Sequence, residues 1–226
     1  MITIEDLTKS FGNKTVLKNI SITFCKGKVY GIVGENGSGK TTLFKCIAGL
    51  EDYEGVIKSE YDKLKNHLGF LQTEPYFFSK ITGKEYIQLL CNARDLKIPE
   101  ISDKNIFDLP LNQYASTYST GMKKKLALTA ILMQENEVFI LDEPYNGVDI
   151  HSNLIITEII HKLKLLNKTV IISSHIFSTF KVTCDEIYLL RNAEFIRKVF
   201  KEEFELLEKE LIDFTVGDRI EKLNLK

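Results

Sequence analysis

The 226-residue chain is long enough for one large domain with a substantial core, or one domain carrying a small inserted subdomain. Its hydrophobic share of 44% and charged share of 27% are those of a globular protein, and a formal net charge of -1 gives no field that would draw the whole chain onto nucleic acid. Four scattered cysteines, Cys25, Cys46, Cys91 and Cys184, form no CxxC pair, which argues against a disulfide framework or a zinc site and predicts reduced thiols in a cytosolic protein.

The opening Met-Ile-Thr-Ile-Glu-Asp lacks a basic start followed by an apolar stretch, so no secretion signal is expected. No apolar run approaches the roughly 20 residues of a spanning helix, so any membrane role is expected to come through a partner. Residues 2–8 and 16–24 read as strands, with a turn signal at Gly12-Asn13 between them. Residues 28–33 form a third, apolar strand ending at Gly34, followed by a Gly-rich stretch and a helix over 40–49. Short strands are expected at 56–57 and 68–71. The texture changes from 82 to 116: residues 85–94 have helical spacing, with Tyr86, Leu89, Leu90 and Ala93 on one face, and 101–109 reads as a further short helix. A helix over 120–135, a buried strand over 138–141, a helix over 152–166 and a strand over 169–173 follow. Two strands at 186–190 and 194–199 form a hairpin turning at Arg191-Asn192, then a charged helix covers 201–212; the last dozen residues are unassigned.

The alternation of strands and helices predicts an α/β fold with a mainly parallel sheet covered on both faces. The whole is read as a single domain. Its core spans about 1–80 and 117–200, a helical subdomain about 81–116 and a C-terminal tail about 201–226.

Gly34-Glu35-Asn36-Gly37-Ser38-Gly39-Lys40-Thr41 matches the phosphate-loop pattern in full, between a strand and a helix as that pattern requires. Glycines let the backbone turn tightly and aim its N–H groups at phosphate oxygens, and the helix adds the positive end of its dipole. Lys40 is expected to neutralise the β- and γ-phosphates and the Thr41 hydroxyl to ligate Mg²⁺, with Thr42 beside it in the loop's helix. Alone, the loop says only that a nucleotide is bound. The buried strand Val138–Leu141 ends at Asp142-Glu143-Pro144. A carboxylate at a strand end beside a phosphate loop suits Mg²⁺, the role expected of Asp142. Glu143 points another way and suits a general base for the attacking water. A strand running into a polar turn would look the same without the loop.

With the run Tyr118-Ser119-Thr120-Gly121-Met122-Lys123-Lys124-Lys125-Leu126 ahead of the acidic strand, the chain resembles the nucleotide-binding domain of ATP-binding cassette (ABC) transporters. Ser119 and Gly121 match that family's Leu-Ser-Gly-Gly-Gln motif, and Tyr118, Thr120 and Met122 depart from it. The Ser-x-Gly-Met-Lys variant looks like that of the ABC-2-like exporter type. Asn146-Gly147-Val148-Asp149 resembles the family's dimer-contact loop, and Ser173-Ser174-His175 its switch histidine. The resemblance therefore implies a P-loop NTPase core with an N-terminal antiparallel β subdomain and a small inserted helical subdomain. It assigns Glu143 and His175 to catalysis. Phe11 falls where the family stacks an aromatic on adenine, and a Phe simply packed in the hairpin reads equally well. The family's Mg²⁺-contacting Gln has three candidates here: Gln72, Thr73, on which ungapped counting from Glu85 lands, and Glu74; Gln72 is taken as the site.

The same resemblance implies ATP and Mg²⁺ as ligands and a head-to-tail dimer in which Ser119 and Gly121 of one copy complete the site of another. It also implies transmembrane permease subunits as partners at the inner face of the cell membrane, reached through residues 72–79, and no nucleic acid. Phe77 and Phe78 either contact those partners or pack within the helical subdomain. Two alternatives are a soluble cassette ATPase acting on ribosomes or DNA, and a module that holds ATP without turnover. The chain length opposes the first; Lys40, Asp142, Glu143 and His175 oppose the second.

Overall fold

A computed structural model describes residues 1–96 and 100–216. Two sheets organise them. The smaller is antiparallel, in the order β2-β1-β4, from β1 (Ile2–Phe11), β2 (Lys14–Phe24) and β4 (Glu54–Ser59). The larger is built from β3 (Val29–Val33), β5 (Leu68–Leu71), β6 (Val138–Leu141), β7 (Thr169–Ser173), β8 (Glu186–Arg191) and β9 (Glu194–Phe200). Its order is β5-β6-β7-β3-β8-β9, with every pair parallel except the final hairpin.

Why the central strands read as unbroken apolar runs is plain from their two faces. Side chains alternate along a strand, so both faces of a covered sheet must be apolar. Phe139 and Leu141 of β6, Val170 and Ile172 of β7, and Ile187 and Leu189 of β8 enter one core. Val138 and Ile140, Ile171, and Tyr188 and Leu190 enter the other. That second core is closed by the antiparallel sheet and by α1 (Lys40–Ile47), through Leu43, Phe44 and Ile47. The first is closed by α3 (Thr120–Met133), α4 (Ile150–Leu165), α5 (Phe177–Thr183) and α6 (Phe204–Val216). All charged and reactive groups expected at the site lie at the C-terminal ends of β3, β6 and β7, where the connecting loops converge.

Among the described residues, the segment between β5 and α3 holds one α-helix, α2 (Gly83–Asn92), started by a capping box in which Thr82 and Glu85 satisfy each other's backbone N–H. Helix α2 packs on α3, and Gln134 at the end of α3 donates to the Leu90 carbonyl at 2.9 Å.

Four expectations change. Residues 101–109 form no α-helix, only a 3-10 turn at Ser102–Lys104. The Asn105 side chain both donates to the Leu109 carbonyl and accepts from its N–H, at 2.9 and 3.0 Å, offering the backbone a loop in place of a helix. Helix α5 was not anticipated; seven residues are too short for a period to emerge. The hairpin turns at Asn192-Ala193, both with positive φ, one residue beyond the expected Arg191-Asn192. The C-terminal helix begins with a 3-10 turn at Lys201–Glu203 and runs to Val216, past the expected 212; of the unassigned last dozen residues, 217–226 lie outside the described residues.

Candidate nucleotide-hydrolysis site

The loop after β3 is shaped by its glycines where no other residue would serve. Gly39 has φ +109°, and a Cβ on it would lie 2.8 Å from the Val16 carbonyl oxygen of β2. The loop thus passes close under the antiparallel sheet and delivers Lys40, nearly fully buried, at the start of α1. Lys40 Nζ donates to the carbonyls of Gly34 and Glu35 at 2.8 and 3.1 Å. Burial lowers its pKa, opposed by the nearby carboxylates of Glu143 and Asp142.

Parallel registry brings the remaining groups to the same place. Leu141 of β6 pairs with Leu71 of β5 and with Ile172 of β7, so the residues just past each strand end meet. Asp142 accepts three hydroxyl hydrogen bonds: from Thr41 at 2.6 Å and Thr73 at 2.8 Å on Oδ2, and from Ser173 at 2.6 Å on Oδ1. Ser173 Oγ also accepts from the Glu143 N–H at 3.0 Å. Glu143 lies in the left-handed region at φ +53°, a strained conformation of the kind that clusters at functional sites. Its Oε2 accepts from the His175 N–H at 3.1 Å, and its Oε1 stands 3.1 Å from His175 Nε2 without forming an aligned hydrogen bond. Burial raises the Glu143 pKa; His175 and Lys40 pull against it. Beneath Glu143, the fully buried Lys124 of α3 donates to its carbonyl oxygen at 2.7 Å.

A cavity of about 250 Å³ gathers most of the expected residues. Asn36, Gly37, Gly39, Lys40, Thr41 and Thr42 line one side, and Thr73, Asp142, Glu143 and His175 the other. A second cavity of about 420 Å³ shares Val16, Asn36 and Gly37 with it and adds Glu35, Ser38 and the β8–β9 turn. The donor set around Asp142 is all oxygen, one carboxylate with three hydroxyls. That fits a hard cation such as Mg²⁺, which takes few protein ligands and completes its shell with phosphate and water. Among the described residues no cluster of His, Cys, Asp and Glu offers an alternative metal site.

Four expected residues stand elsewhere. Gln72 is exposed and turns toward Phe70, Tyr86, Leu90 and Gln134, while Thr73 reaches Asp142. Of the three candidates for the cation-contacting position, Thr73, on which ungapped counting landed, is the one that reaches Asp142, while Gln72 faces the other way, as successive residues of extended chain do. Phe11 is half exposed under the Lys9 ammonium, 4.7 Å from its ring centroid, and is not packed in the hairpin. It lines none of the cavities beside the loop. Ser119 caps α3 by accepting from the Met122 N–H at 3.2 Å, and Gly121 abuts Gly147; neither lines either cavity in its own chain. Of the residues that reach the site without having been singled out, Ser173 appears in the sequence only as a flank of His175, and Lys124 only as one of three lysines. No local signal marks either.

This fold and site define a P-loop nucleotide-binding cassette. The family model for "ABC transporter" matches residues 17–146, more than half of the chain, and the protein belongs to the ABC transporter family. The chain is 33% identical over 217 residues to the ABC transporter ATP-binding protein NatA of Bacillus subtilis (strain 168), covering 87% of this chain and 88% of NatA. It is 32% identical over 231 residues to the bacitracin transport ATP-binding protein BcrA of Enterococcus faecalis, covering 96% of this chain and 75% of BcrA. A solved ATP-binding subunit of an ABC transporter superposes with a TM-score of 0.82 at 22% identity over 95% of this chain and 99% of that one, a likeness of fold.

Proposed function

We propose that the chain is the ATP-hydrolysing subunit of an ABC transporter and powers a separate transmembrane permease at the inner face of the membrane, in the direction of export. The observation that carries this reading is the joining of Thr41, Asp142, Glu143 and His175 on one cavity with the phosphate loop. A module that only held ATP would need no buried carboxylate aimed at a histidine. No described helix is long and apolar enough to cross a membrane. The relatives named for transport, one for bacitracin, accord with that role. The Ser119-Thr120-Gly121-Met122-Lys123 run accords with the exporter type.

In the proposed reaction, ATP and water give ADP and phosphate. The loop amides and Lys40 would hold the β- and γ-phosphates, and Thr41 and Asp142 would hold Mg²⁺, which when bound would neutralise charge at the phosphates. Glu143 accepts a proton from the attacking water as the water O–P bond forms and the bond from the γ-phosphorus to the ADP oxygen breaks, ADP being the leaving group. Its buried setting raises its affinity for that proton. His175 orients the carboxylate through its backbone N–H, with its ring Nε2 3.1 Å from Glu143 Oε1. Ser119 and Gly121 lie away from their own loop, so a second copy placed head to tail would supply them, with the free end of α3 aimed at the phosphates.

The test is turnover of MgATP by the purified full chain against Glu143→Gln. Removal of a general base costs about 100-fold or more in kcat with nucleotide still bound. Wild-type turnover no higher than that of the variant would reject the reading.

A further inference from the structure

A run of three lysines on a helix ordinarily makes a solvated face, and Lys123-Lys124-Lys125 does not. Lys125 reaches Asp149 Oδ2 and Ser152 Oγ, each at 3.2 Å. Lys124 turns inward and is 1% exposed. Its ammonium donates at 2.7 Å to the main-chain oxygen of Glu143, which also accepts from the Asn146 N–H at 3.2 Å. A buried cation is costly unless paired, and an apolar side chain of the same length would fill the space without that cost. The carboxylates whose charge favours the ammonium are Glu143, Asp142 and Glu74.

What Lys124 holds is a strained peptide. Glu143 has positive φ, opens the turn closed by the Asn146 N–H, and must keep its carboxylate on His175 while that turn bends away through Pro144. The same helix is fastened to the far end of the loop, where Gly121 abuts the Gly147 carbonyl and Lys125 binds Asp149. We infer that Lys124 is a positioning residue for hydrolysis: it fixes the Glu143 peptide, and so the direction of its carboxylate, to the helix that begins at Ser119. The inference rests on the reading of Glu143 as the base. It makes the placement of Glu143 depend on the placement of α3, so a nucleotide seated at Ser119 by a second copy would be felt at the first copy's own site.

The full chain carrying Lys124→Met, which keeps length and removes the donor, tests this. The expected result is a kcat lower by about ten-fold, the scale of a small misplacement of a reacting group, with KM for MgATP and Tm essentially unchanged. Lys124→Arg, which restores donor and charge, is expected to recover most of the rate. A Lys124→Met kcat within about twofold of wild type overturns the inference, as does a loss accompanied by a matching rise in KM and fall in Tm, the mark of a merely structural role. Failure of the underlying reading looks different: wild type itself would turn over no faster than Glu143→Gln, and both conclusions would fall together.

Discussion

Replacing Gly121 with Ala in the nucleotide-free chain tests one contact between α3 and the loop that follows Glu143. In an open helix this change stabilises by about 1 kcal/mol, because glycine loses more backbone freedom on folding. Here the new Cβ would lie 2.5 Å from the carbonyl oxygen of Gly147, inside the 3.0 Å below which something must shift. The obstacle is backbone, which cannot rotate away as a side chain would. Overpacking of this kind costs about 1–3 kcal/mol, which outweighs the helix gain. The balance is a loss on the order of 1 kcal/mol, or about 2–4 °C in Tm for a chain of this length. Opening the contact by about 0.5 Å also shifts the loop against the site, and the added methyl intrudes where Gly121 is proposed to meet a second copy's nucleotide, so kcat for ATP is expected to fall by about ten-fold or more. Thermal unfolding of the nucleotide-free chain and steady-state turnover measure the two effects. A Tm equal to or above that of wild type would refute the argument, because propensity would then have won over the clash.

Two further outcomes follow from the site. Burial raises the folded pKa of Glu143, so the folded state holds its proton more tightly than the unfolded chain does. Stability from this group is then fully present below the unfolded value near 4.5 and is lost as pH rises through the folded value. Glu143→Gln removes the buried charge and is expected to stabilise the nucleotide-free chain at pH 7, and not below pH 4.5. Denaturant midpoints at the two pH values check it, and a gain independent of pH contradicts it. Thr73→Val removes a hydrogen bond to Asp142 and should lower Mg²⁺-dependent turnover by about ten-fold or more, as loss of a group supporting a metal ligand does, whereas Gln72→Ala should leave the Mg²⁺ dependence unaltered. Titrating activity against Mg²⁺ for both variants decides which residue serves the cation, and a Gln72→Ala effect larger than that of Thr73→Val would reverse the assignment.

Much of the fold was legible because its signals are local. The apolar runs at 138–141 and 169–173 mark buried strands without reference to neighbours, and the strand–loop–helix setting of Gly34 to Thr41 is contained in fewer than 20 residues. Residues 101–109 misled because their apolar positions pack, yet Asn105 caps its own loop. Helix α5 offered too few residues to show a period.

The chain's sequence by itself determined which chemistry is present: a phosphate loop whose glycines, lysine and threonine lie together in one local stretch, and an acidic pair at the end of a strand. Tertiary structure alone decided what that chemistry faces. The parallel register of β5, β6 and β7 sets Thr73, Asp142 and Ser173 side by side although they are far apart in the chain, and a one-residue change in pairing would have presented Gln72. It also decided that Lys124, indistinguishable in sequence from Lys123 and Lys125, is the one that α3 carries inward to the Glu143 carbonyl. Helical rotation places neighbouring residues about 100° apart, so which lysine is buried depends on the surface against which the helix packs.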